Sequence, residues 1–219
     1  MQEFNVVISG FDHYEDIDIN PSAEVCAALE SHGVEPSEDS AGDVRINVTS
    51  VLIPLSFQNA WPTLLETIDR VHPDMVLATG LKTHAHSVAL ERCATNLIDA
   101  TRPDADNIQP RRAPIDPDGP AAYWTRLPLR TILHDFSDQN IPATLSSDAG
   151  TFVCNSLFYR LLDWNSTQST ALSGFLSFPK VNDGGKYGSG LSLDQMIAAA
   201  QDVIRATVDY AVRPVSDEI

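Results

Sequence analysis

Residues 5–10 read Asn5-Val6-Val7-Ile8-Ser9-Gly10, and ten residues further on the chain reads Asn20-Pro21-Ser22. The first stretch is a short apolar run closed by a glycine, the signal of a buried strand. The second is a helix start, with Asn20 as the cap and Pro21 at the first helical position, where a missing N–H costs nothing. Val25, Ala28 and Leu29 then continue the helix on one face. A buried strand followed by a capped helix is the beginning of an α/β pattern.

The alternation continues outward from there. Residues 44–55 are β-branched and extended, and residues 61–71 carry Leu64, Leu65, Ile68 and Val71 at helical spacing. An apolar run over 75–79 ends at Gly80, and 88–98 reads as another extended segment. A proline-rich loop spans 103–120; loops of that length are usually functional or mobile. Helix is expected over 127–136, strand over 143–146, helix over 151–164 and strand over 170–178, ended by Pro179. The longest helix, 192–210, opens with a Ser192–Gln195 capping box. The pattern predicts one α/β domain over 1–219 with a mostly parallel, helix-covered sheet. Ligands in such sheets lie beyond the carboxyl ends of the strands, so chemistry is expected in the loops after Ser9, Thr79, Ser146 and Phe178.

Composition narrows the class. At 219 residues with 43% hydrophobic side chains, the chain can bury a large core without disulfides or metal. A net charge of −16 argues against nucleic-acid binding. No apolar run approaches the roughly 18 residues of a membrane span, and the N-terminus turns acidic too early for a secretory signal. Cys26, Cys93 and Cys154 are an odd number without pair-like spacing, which suits reduced thiols in a cytoplasmic protein. The acids divide into 21 Asp and 9 Glu, against only 3 Lys and 11 Arg. Such a surface suits a salt-rich cell, where screening relieves the repulsion; the alternative is an ordinary solvated acidic surface.

Two residues stand out chemically. Cys154 lies four residues past Gly150 in the first turn of an expected helix, where the positive end of the helix dipole favours thiolate. The competing reading is a small buried hydrophobe. Cys26 and Cys93 lack that setting and read as core. Glu91 interrupts the apolar stretch Ser87-Val88-Ala89-Leu90, so it is either at a wet edge, paired with Arg92, or buried with a purpose. A buried carboxylate needs a partner, and orienting a histidine or a thiol's surroundings is a common use.

Longer strings resemble one family. VVISGFDHYEDIDINPSAE, PDMVLATGL with ALERCATNL, DGPAAYWTRLPLR, IPATLSSDAGTFVCNSLFYRLLD and SGFLSFP are similar, in this order, to segments of pyroglutamyl peptidase type I (pyrrolidone-carboxylate peptidase). Those enzymes are cysteine peptidases that remove an N-terminal pyroglutamyl residue. The resemblance implies a three-layer α/β/α sandwich with a mostly parallel twisted sheet. It also implies a Cys154 nucleophile, Glu91 as the carboxylate of a Cys-His-Glu triad, and a pyroglutamyl pocket lined at Phe11, Tyr14, Phe152 and Val153. No cofactor or metal is implied. The partner is an N-terminally blocked peptide, and the family's frequent homotetramers imply a homo-oligomer.

Departures from the family pattern fall within the chemistry. Ser177, in Gly174-Phe175-Leu176-Ser177-Phe178-Pro179, stands where the family has its catalytic histidine. A hydroxyl titrates too high to serve as base for a thiol or acid for a leaving amine. Thr101 takes the place of an oxyanion-stabilising arginine, with Arg102 adjacent, and Leu81 replaces a substrate-contacting glutamine. His13, His84 and His86 lie on loops expected to border the site and are the candidate substitute bases, each otherwise a solvated loop residue. Two functional classes follow. One is a cysteine hydrolase working through a Cys154 thioester with rearranged site chemistry. The other is a catalytically impaired homologue that binds a pyroglutamyl-like or small carboxamide ligand.

Overall fold

In the computed structural model, which describes residues 2–12, 17–37, 44–168, 170–182 and 190–212, the opening apolar run is the middle of strand β1 (Gln2–Phe11). Helix α1 (Pro21–His32) follows, capped as its Asn-Pro-Ser pattern predicts: the Asn20 side chain accepts from the Ser22 N–H at 3.2 Å. The chain then forms β2 (Val44–Ile53), α2 (Ala60–Val71), β3 (Met75–Leu81), β4 (Val88–Glu91), β5 (Cys93–Thr95) and β6 (Ala122–Trp124). It ends with α3 (Leu129–Asp138), β7 (Ala143–Ser146), α4 (Val153–Gln168), β8 (Leu172–Phe178) and α5 (Leu193–Val212). The expected capping box opens α5: the Ser192 hydroxyl accepts from the Gln195 N–H, and the Gln195 side chain accepts from the Ser192 N–H.

Six strands form the main sheet in the order β2-β1-β3-β8-β4-β7. All its pairings are parallel except β4 against β8. Side chains alternate between the two faces of such a sheet, so each strand feeds two cores. Val6 and Ile8 of β1, Met75 and Leu77 of β3, and Leu176 and Phe178 of β8 pack with apolar residues of α1, α3 and α5. Val7, Phe11, Val76, Ala78 and Phe175 face the other way, against α2 and α4. The architecture is therefore an α/β/α sandwich of three layers. Each such side chain, fully buried, contributes about 1.5–3 kcal/mol, so neither layer detaches without a large loss. By the same alternation Gly80, Glu91 and Ser177 look toward α4. Among the described residues no helix is long and apolar enough to cross a membrane.

Some expectations need correction. The extended stretch 88–98 is two strands divided at Arg92. β4 stays in the main sheet, while β5 leaves it and pairs antiparallel with β6, a three-residue strand with no sequence signal of its own. Gly80 lies inside β3 rather than closing it. The proline-rich stretch is a loop, stapled by half-buried Asn96 and buried Asp104. Asn96 Oδ1 accepts from the Ile115 and Asp116 N–H groups, and Asp104 Oδ1 accepts from the Asp106 and Ile108 N–H groups.

Candidate active site

The carboxyl ends of β3 and β8, with the short antiparallel strand β4 beside them, meet the amino end of α4. Gly80 of β3 is in register with Ser177 of β8, and Ala89 of β4 is in register with the same serine. Cys154 is the second residue of α4 and is half-buried. Its sulfur sits directly over β3: a Cβ built on Gly80 would stand 3.0 Å from Cys154 Sγ and 3.0 Å from the Phe175 ring. A larger residue at 80 would press on both the thiol and the ring, and one of them would have to give by a few tenths of an ångström.

Glu91, at the end of β4, is 1% exposed. Its Oε1 accepts from the Ser177 hydroxyl at 2.8 Å and from Lys82 Nζ at 3.1 Å. Its Oε2 is buried and has no hydrogen-bond partner among the described residues. The surface pairing with Arg92 does not form. Arg92 turns outward, donates to the Ser147 hydroxyl and lies over the Trp124 ring at 6.0 Å. Of the two readings of Glu91, the buried carboxylate with partners holds.

The thiol's electrostatics run opposite to the helix-dipole expectation. Burial, followed by the negative charge of Glu91, pushes the Cys154 thiol up to about 12, against the pull of Arg102, its own backbone hydrogen bond and Lys82. A helix dipole is worth only about 0.3–1 kcal/mol when exposed, less than removing a thiolate from water and placing a carboxylate near it. Cys26 and Cys93 are buried, as expected of core residues.

Other candidates take their places around this centre. Phe11 is buried at the end of β1, where Asn20 Nδ2 donates to its carbonyl and its own N–H donates to the Ser22 hydroxyl. Val153 is buried beside Cys154, and half-buried Phe152 makes an edge-on contact with Phe57 at 5.2 Å. The Arg102 guanidinium lies 5.1 Å from the centroid of the Phe152 ring. Leu81 is half-buried at the end of β3, whereas His84 and His86 are exposed on the loop that follows. His13 and Tyr14 lie outside the described residues.

Sequence reasoning passed over two residues that hold the site together. Asn155 is buried; it accepts from the Thr95 N–H and donates to the Thr95 and Leu97 carbonyls, fastening α4 to the strand beyond Glu91. Lys82 donates to Glu91, to the Ser146 hydroxyl and to the Asp148 carbonyl. Its signal was lysine scarcity: one of the chain's 3 lysines directly follows the strand that ends at the site. A cavity of about 650 Å³ lies away from this site, at the amino ends of β1, β3 and β8 near Phe4, His72 and Leu172.

The family pattern described as pyroglutamyl peptidase matches residues 4–210. The chain is 39% identical over 208 residues to the pyrrolidone-carboxylate peptidase of Bacillus subtilis, covering 94% of this chain and 93% of that protein. It is 34% identical to the Pseudomonas fluorescens enzyme of the same name, covering 92% and 91%. Among solved structures it superimposes on the pyrrolidone carboxyl peptidase of Thermococcus litoralis with a TM-score of 0.86 at 27% identity, covering 98% of this chain and 97% of that one. Pyroglutamyl peptidase I of Bacillus amyloliquefaciens gives 0.83 at 31% identity, covering 94% and 97%. A match over nearly the whole length in sequence and in fold places this chain in the pyroglutamyl peptidase family.

Proposed function

We propose that the chain is a cysteine hydrolase that removes an N-terminal pyroglutamyl residue from peptides, with Cys154 as its nucleophile. The observation that carries this reading is the placement of the Cys154 sulfur over Gly80, on the sheet face that also presents Ser177 and Glu91. The sulfur bonds the pyroglutamyl carbonyl carbon, the C–N bond to the next residue breaks, and the leaving amine takes the thiol's proton. Water then cleaves the thioester, releases pyroglutamate and returns a proton to sulfur. Phe11, Phe152 and Val153 supply apolar walls of the kind a small lactam needs. Arg102 and backbone N–H groups at the start of α4 are the proposed oxyanion donors. The substrate class comes from the family, as does a proposed homo-oligomer.

A second reading rests on Ser177. It takes the position at which the family carries its catalytic histidine, and its hydroxyl is committed to Glu91. Losing a general acid–base group costs about 10²–10⁴-fold, so the chain would then be an impaired homologue that binds pyroglutamyl-like ligands. One experiment separates the two. The hydrolase releases chromophore from a pyroglutamyl-linked substrate, Cys154→Ala abolishes that release, and Ser177→His leaves it similar or lowers it. The impaired homologue is silent as wild type and gains turnover with Ser177→His, whose imidazole would replace the hydroxyl that now donates to Glu91 Oε1.

A further inference from the structure

We propose that Lys82 is a positioning residue of this site: its ammonium ion ties Glu91 to the loop that delivers Cys154 and supplies the positive charge that a paired imidazolium would otherwise bring. The inference rests on the reading of Cys154 as the reacting sulfur, and it deepens that reading by naming what stands in for the missing cation.

The sheet fixes where Lys82 starts. Its N–H donates to the Phe178 carbonyl at 2.8 Å, which continues the β3–β8 ladder one residue past the strand, and its own carbonyl accepts from the Ala85 N–H. The side chain then reaches three acceptors: Glu91 Oε1 at 3.1 Å, Ser146 Oγ at 3.2 Å and the Asp148 carbonyl at 2.6 Å. An ammonium has three donors and no acceptor, so this set uses it fully and leaves no hydrogen free for the sulfur. Lys82 therefore acts through its neighbours and not as a base on the thiol.

Those neighbours connect both halves of the site. Glu91 and Ser177 lie on the sheet. Ser146 ends β7, and Asp148 lies in the loop that runs into α4, where its carboxylate also accepts from the Gly150 N–H at 2.9 Å. One cation thus bridges the sheet to the segment that sets Cys154. The charged groups around the thiol from each packed element are Glu91 of β4, Lys82 after β3 and Arg102 from the loop beyond β5. The carboxylate of Asp148 belongs to the loop before α4, Arg92 points away to Ser147 and Trp124, and His84 and His86 are exposed. Glu91 raises the cost of a thiolate, and Lys82, paired with that carboxylate, offsets it.

The test follows iodoacetamide labelling of Cys154, read by peptide mass so that Cys26 and Cys93 do not interfere, in wild type and variants across about pH 7–9.5. Below the thiol pKa, log rate climbs with pH, and a vertical displacement between two proteins reads a change in thiolate fraction. Lys82→Met is expected to slow labelling about tenfold at every pH, the equivalent of one pKa unit. Lys82→Arg keeps the charge and should stay within about threefold of wild type. Adding Glu91→Gln to Lys82→Met removes the uncompensated carboxylate and should recover most of the loss, which a merely structural lysine would not produce. Folded Lys82→Met that labels as fast as wild type, or faster, overturns the proposal. If Lys82→Met does not fold, Lys82→Gln gives the same comparison with a neutral, hydrogen-bonding side chain. Labelling needs no substrate, so a chain that releases no pyroglutamate leaves this result standing.

Discussion

Cys154 shows how two physical effects compete at one atom. Its place in the first turn of α4 favours a thiolate, yet burial and the nearby Glu91 win and hold the thiol protonated at neutral pH. Without substrate, its labelling rate should therefore rise about tenfold per pH unit through pH 9 without levelling off. A plateau near neutrality would reveal an ion pair absent from this arrangement. The same shift has a stability sign. The folded thiol holds its proton more tightly than the unfolded one, so its contribution is intact below the ordinary thiol pKa and is lost as pH climbs toward 12. The sequence pointed to this cysteine and to Glu91 because a helix start and a lone acid among apolar residues are local signals. It could not rank dipole against desolvation, because the Glu91 charge approaches through a contact 63 residues away in the chain, across three packed elements. Lys82 was overlooked for a related reason: a lysine after a strand is usually a solvated residue, and its acceptors lie on β4 and beyond β7.

At the scale of elements, the site depends on how α4 is fastened to its surroundings. Asn155 offers one side chain to both strand-side groups of Thr95 and to the Leu97 carbonyl, while just before the helix the Thr151 hydroxyl donates to the Asp99 carbonyl and the Thr151 carbonyl accepts from the Asp99 N–H. Replacing Asn155 with Ala leaves the Thr95 N–H without its acceptor in a half-buried position. That should cost about 1–3 kcal/mol in a urea unfolding series and slow pyroglutamyl release, since Cys154 is the neighbouring residue. Unchanged stability would mean that water replaces the asparagine at no cost. Elements with a strong period were legible: β1, β3, β8 and the capped helices α1 and α5 lie where Val6-Val7-Ile8, Asn20-Pro21 and Ser192–Gln195 put them. The break at Arg92 was not, because 88–98 is extended throughout. What divides it is tertiary: the Arg92 N–H donates to Ser146 and its carbonyl accepts from Thr125, so the next residues turn toward β6. A three-residue strand such as β6 has too few positions for a period to register.

For the whole molecule the dominant long-range term is charge. A net −16 on 219 residues makes the folded chain repel itself more than the expanded chain does, because folding brings the same charges closer together. Pairing relieves little of this: 30 acids face 14 Lys and Arg, and the site's own Lys82 is already committed to Glu91. Screening is the remaining relief. The Debye length is about 10 Å at 0.1 M salt and about 3 Å at 1 M, so repulsion between surface carboxylates fades across that range. The melting temperature is therefore expected to climb steeply as NaCl rises from a few millimolar to roughly 0.5 M and to flatten beyond, where the screening length is already shorter than typical charge spacing. Sodium chloride is the informative salt, because sulfate would also strengthen apolar burial and blur the cause. Scanning calorimetry in a dilute buffer and in steps of NaCl reads the effect. A melting temperature that stays flat from the lowest salt upward would mean that the carboxylates are spaced widely enough to ignore one another, and the acidic surface would then carry no salt requirement.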